Sequence, residues 1–200
     1  MTSQPVRLAA CTALLLLMGA CSQSTPPVAQ QSPPAAAAPA AGPAADSPFE
    51  ITATIRELMD STVDPSADAL WDAVSVVSTR KGEEEHKPRT DEEWKAVRRA
   101  AVTLMESMNL VVMEGRRAAP PGTVPGEGEL TPDQIDQKIA ANRAALVGFA
   151  KGLRATAAKA LVAIDKKDPS ALLDAGGDID EACEVCHVTF WYPNQKVPTN

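Results

Sequence analysis

The sequence predicts an all-α chain folded as an antiparallel four-helix bundle. Three observations carry that prediction. After residue 48, apolar side chains recur at helical spacing in four successive stretches. Cap-and-proline or capping-box signatures stand at helix starts, as at Thr90 and Thr131-Pro132. Finally, no stretch shows the apolar–polar alternation of a half-buried strand. Helices with one apolar stripe each bury it against one another, and four of them close on a shared core.

The first helix is expected to start at Ser47-Pro48, a cap followed by proline at the first helical position, and to carry Ile51, Ile55, Leu58, Met59 and Thr62. Asp64-Pro65 interrupts it, because proline lacks an N–H and its ring collides with the preceding turn. That proline either kinks the helix or starts a second segment with the stripe Ala67, Leu70, Trp71, Val74 and Val77. A charged loop is expected from Thr79 to Arg89. Thr90 with Glu93 three residues on makes a capping box for the second long helix, whose apolar face includes Trp94, Val97, Leu104 and Met108. The Pro- and Gly-rich run from about Gly115 to Leu130 is long for a bundle connection and is expected to be mobile. Thr131-Pro132 opens the third helix, which runs to about Lys167 on Ile135, Ile139, Leu146, Phe149 and Ile164. Pro169 begins the last helical region, loosened at Gly176-Gly177.

Ahead of this domain (residues 48–200), residues 1–21 read as an export signal, with Arg7 as the sole charge before an apolar run from Leu8 to Ala20. That run is too short to span a bilayer. Met18-Gly19-Ala20-Cys21 resembles a bacterial lipobox, in which cleavage leaves a cysteine that carries lipid; Met18 departs from the usual leucine. Leu8-Ala9-Ala10-Cys11 has no apolar run before it. The alternative for Cys21 is an ordinary secretory signal with a free or trimmed cysteine. Residues 22–47 are almost entirely Ala, Pro, Ser, Gln and Gly, too poor in apolar surface to offset chain entropy, and read as a disordered tether. The expected location is periplasmic, with attachment to a bacterial membrane by lipid alone.

The 200 residues carry 19 basic and 26 acidic side chains, net −7. Cleavage before Cys21 removes one basic residue, Arg7, leaving 18 basic against 26 acidic, net −8. Nucleic acid and anionic membrane surfaces are therefore poor partners. A basic redox protein is a better electrostatic match, and a homodimer stays open.

The last helical region holds Cys183-Glu184-Val185-Cys186-His187, a C-x-x-C-H pentapeptide and the signature of covalent c-type haem attachment. Two thiols three residues apart share one helix face, spaced to form thioethers with the two haem vinyl groups, and the adjoining imidazole can reach the iron. A chance match arises on the order of once in a thousand chains of this length. The alternatives are a disulfide or a free dithiol. A zinc site lacks ligands, since the remaining candidates are His86, in an acidic run, and Cys11 and Cys21, in the signal region. A thioredoxin-like pair needs a βαβ context that is missing here.

Helix count and a C-x-x-C-H on the last helix together resemble the cytochrome c-prime superfamily, over roughly Phe49 to Tyr192. Mitochondrial-type cytochromes c carry the motif near the N-terminus instead. The resemblance implies one covalent haem c on Cys183 and Cys186, His187 as proximal ligand, and the other haem face turned to the first helix. Those cytochromes usually place a basic residue four positions after the histidine. Here that position is Trp191, within Phe190-Trp191-Tyr192, so the role of the basic residue does not transfer. In low-spin members the sixth ligand is a methionine on the first helix, and Met59 is the one methionine there. A methionine at helical spacing also reads as core filler. Met105, Met108 and Met113 are expected to be core or surface.

Two functions follow from the resemblance. With a methionine opposite the histidine, the protein is a membrane-tethered electron carrier serving periplasmic redox proteins. With that position open, it binds nitric oxide or carbon monoxide. Catalysis is not expected: the chain has no paired acid and base and no G-x-G-x-x-G loop.

Overall fold

Thr54 starts the first helix. Its hydroxyl accepts from the Glu57 N–H while the Glu57 carboxylate accepts from the Thr54 N–H, a complete capping box. The computed structural model describes residues 49–195, so the signal, Cys21, the tether and Ser47-Pro48 lie outside the described residues. Helix α1 spans Ile55–Leu58 rather than beginning at Ser47, and Ile51 precedes it in non-helical chain. Two helix-start N–H groups find acceptors in a distant loop: Ile55 donates to Arg117 at 2.9 Å and Arg56 to Ala118 at 2.9 Å. Tertiary partners for orphan donors thus fix this helix start.

The proline break is absorbed by a π-helical stretch, Met59–Val63, in which the Asp64 N–H reaches back to the Met59 carbonyl. Helix α2, Asp64–Trp71, follows without interruption, with Pro65 in its first turn. It ends sooner than the apolar stripe suggests. Val74 is buried, but Val77 belongs to a two-stranded antiparallel hairpin, β1 Ser75–Thr79 and β2 Gly82–His86, with Val77 paired to Glu84. The expected charged loop is therefore partly strand, and the expected absence of strands is corrected. Both faces of the hairpin are exposed, so it has no need of alternation, and β-branched residues in β1 with Gly82 at φ +124° specify it instead.

Helix α3, Asp91–Val111, starts at the expected Thr90–Glu93 capping box and buries Trp94, Val97, Leu104 and Met108. Met113 lies beyond its end. The long loop that follows is tied down near both ends. Arg116, 9% exposed, donates from Nε to the Leu110 carbonyl at 2.7 Å, from Nη1 to the Ala53 carbonyl, and from Nη2 to Met113 Sδ. Arg117 pairs with Asp133 and Asp136, and Leu130 donates its N–H to the Trp191 carbonyl at 2.7 Å.

The third predicted helix is two: α4, Pro132–Ala141, and α5, Arg143–Asp165. Asn142 separates them at φ −129°, ψ 39°, with its side-chain amide on the Lys138 carbonyl. Asparagine competes in this way with the backbone ladder. Helix α6, Pro169–Phe190, is capped by Asp168 and passes through Gly176-Gly177 unbroken. The described residues are therefore mostly helical with one small sheet. Helix α2 packs on α3, α3 on α5, α5 on α6, and α6 on α2, around a continuous buried cluster. Among the described residues no helix is long and apolar enough to cross a membrane.

Gly176 explains how α2 meets α6. The Trp71 indole N–H donates to the Gly176 carbonyl at 3.0 Å, and a Cβ on Gly176 would lie 3.1 Å from Trp71 Cδ1. Trp71→Phe should lower unfolding stability by about 1 kcal/mol through loss of that bond, measured by urea denaturation.

Candidate haem site

Cys183, Cys186 and His187 occupy the last turns of α6, all half-buried. Spacing on the helix puts the thiols on one face, and both cysteines pack against the core. Neither forms a disulfide. The face they share opens on a largely apolar cavity lined by Met59, Val63, Asp64, Met108, Phe149 and Leu153 among others. A second recess adjoins it, with Met59, Val111, Leu146, Cys186 and His187 shared between the two.

Met59 reaches this cavity from the start of the π-helical stretch, half-buried and packed on the core. The structure thus brings Met59, Cys183, Cys186 and His187 to one place. Cys21 lies outside the described residues. His86 stands exposed on β2 and lines neither recess.

The thiols are held neutral. Burial pushes Cys183 up to about 12, with the nearby Asp64 charge adding to it, and burial pushes Cys186 up to about 11. A nucleophilic or zinc-binding cysteine would need the opposite shift. Among the described residues no group of three or more His, Cys, Asp and Glu is placed to hold a bare metal ion. Two neutral thiols and an imidazole on the wall of an apolar slot suit covalent capture of a flat apolar macrocycle with an iron at its centre.

The aromatic run divides its labour. Phe190 is fully buried, 6.1 Å from Phe149 edge to face, and belongs to the core. Trp191 and Tyr192 flank His187, with ring centroids at 6.3 and 6.0 Å. The Tyr192 hydroxyl donates to Glu184 at 2.6 Å, tying the chain after α6 back to the inside of the pentapeptide. Burial, then that bond, raises the Tyr192 pKa above its ordinary value, which keeps the hydroxyl a donor at neutral pH. Tyr192→Phe should therefore loosen this segment, seen as faster amide exchange around residues 191–195.

Sequence reasoning missed three members of the site. Met108 lines the cavity from α3 although its spacing marks it only as core. Asp64 lines it from the junction of the π-helical stretch and α2. Glu184 was read only as a spacer between the cysteines, and its bond to Tyr192 depends on the chain folding back. No protein-family model, curated protein or solved structure matches the chain.

Proposed function

We propose that the chain is a monohaem c-type cytochrome on a four-helix bundle of the c-prime type, tethered by lipid on Cys21 outside the cytoplasm and carrying single electrons between redox proteins. One observation carries this reading: the C-x-x-C-H residues and Met59 meet at a single apolar cavity. The closed ring of packing from α2 through α3, α5 and α6 supports the bundle.

In this reading Cys183 and Cys186 anchor the haem covalently and His187 binds the iron from α6. Met59, which lines the same cavity, would supply the sixth ligand. When bound, the haem supplies a one-electron ferric–ferrous couple. Val111, Leu146, Phe149 and Leu153 give the slot apolar walls that exclude water and limit reorganisation around the transferred electron. Trp191 and Tyr192 cover His187 on its outer side. The acidic surface, net −8 once Arg7 is removed with the signal, favours a basic partner.

The optical spectrum of the purified protein tests the carrier role. A low-spin haem with a methionine-to-iron charge-transfer band is the expected result; a high-spin spectrum would transfer the proposal to the gas-binding alternative. For the tether, mass spectrometry of the mature N-terminus should find diacylglycerol on Cys21. An unmodified N-terminus beyond residue 21 would make it a soluble secreted protein.

A further inference from the structure

We propose that the π-helical stretch Met59–Val63 is a positioning device that turns the Asp64 carboxylate onto the rim of the haem slot, where its negative charge holds the reduction potential of the bound haem down. This inference rests on the haem reading of the cavity.

The geometry comes from helix register. In an α-helix, residues five apart lie about 140° apart around the axis, so a residue at 64 would face away from one at 59. A π turn is about one residue wider and returns residue i+5 to the side of residue i. That is the arrangement here: the Asp64 N–H bonds to the Met59 carbonyl, and Met59, Val63 and Asp64 all line the cavity shared with His187. Pro65 follows at once. Having no N–H, it cannot supply the α-helical bond to the Ser61 carbonyl, and its ring would crowd that carbonyl in an α turn. The sequence Asp64-Pro65 therefore explains both why the register widens and which side chain the widening delivers.

Among the described residues lining the cavity that Met59 and His187 share, Asp64 is the one carboxylate. Burial against that wall raises its pKa, His187 opposes the rise, and the neighbouring Asp60 and Asp68 add to it. The same carboxylate reaches Cys183 electrostatically, so its field extends across the attachment site. Reduction adds one electron to the iron and lowers the charge of the site by one. A fixed anion beside the slot opposes that change and favours the ferric state. Asp64 is exposed to solvent although it lines the cavity, and solvent screening reduces the effect without reversing it.

The test is a spectroelectrochemical titration of the haem-loaded protein at pH 7.5, where the carboxylate is ionised. Asp64→Asn, which keeps the side-chain shape, should shift the redox equilibrium toward the ferrous state by a few-fold to about tenfold, the latter being 59 mV for one electron. Asp68→Asn, at a carboxylate exposed like Asp64 but not lining the cavity, should shift it far less. Pro65→Ala restores the missing N–H, so the segment should relax toward α-helix. The potential should then rise although Asp64 is still present, and Asp64→Asn should add little in that background. An unchanged potential in Asp64→Asn, or an equal shift in Asp68→Asn, would overturn the charge effect. An Asp64→Asn shift that is undiminished in the Pro65→Ala background would overturn the role of the π stretch. Absence of covalent haem from the wild-type protein would instead remove the premise, and the two failures are told apart before any potential is read.

Discussion

Met59→Ala is expected to convert the haem-loaded protein from low spin to high spin and to give it affinity for carbon monoxide. On the proposed reading the Met59 thioether, which lines the cavity together with His187, would be the sixth ligand, and alanine would leave the iron without it. The expected change is qualitative: loss of the charge-transfer band, a high-spin spectrum and a new carbon monoxide adduct. Met108 lines the same cavity from α3, so Met108→Ala is the necessary control. It should leave the spin state low. A Met59→Ala protein that stays low spin would remove Met59 as ligand, and a change on Met108→Ala would transfer the role to α3.

The largest stability effect is expected at Phe190→Ala, about 3–5 kcal/mol in urea unfolding. Phe190 is fully buried at the end of α6, with its ring against Phe149. It follows His187 by three residues, so the cavity its removal leaves adjoins the turn that presents the imidazole. Loss of packing there should also broaden the spectrum of the bound haem. A loss below 1 kcal/mol would mean that this end of α6 is not anchored as described.

Much of this fold was legible in the sequence, and the failures have specific causes. The capping box at Thr90 and the cap and proline at Thr131-Pro132 were readable because every participant is local. The first helix start was not, because Ser47-Pro48 and Thr54–Glu57 both satisfy local rules, and the acceptors that decide between them are the carbonyls of Arg117 and Ala118 in a distant loop. The hairpin escaped notice because neither of its faces is buried, which removes the alternation that reveals a strand. Asn142 divides a pattern whose apolar spacing continues across the break. Loop residues near Arg116 looked mobile by composition, yet one buried guanidinium satisfies two carbonyls and a thioether there.

The site divides along similar lines. Cys183, Cys186 and His187 are legible as candidates because the motif is local, and they line one cavity. Met59 needed the resemblance to be singled out. Asp64 was out of reach, since α-helical periodicity points it away from the cavity and only the widened register brings it back.

The most direct measurement is haem-specific staining of the protein after denaturing electrophoresis, with intact mass determined alongside. Wild-type protein matured with a c-type haem assembly system should keep its stain and show a mass increase of one haem. Cys183→Ala with Cys186→Ala should lose both. Loss of the stain from denatured wild-type protein, or covalent haem retained without the two cysteines, would contradict the assignment of the cavity as a c-type haem site.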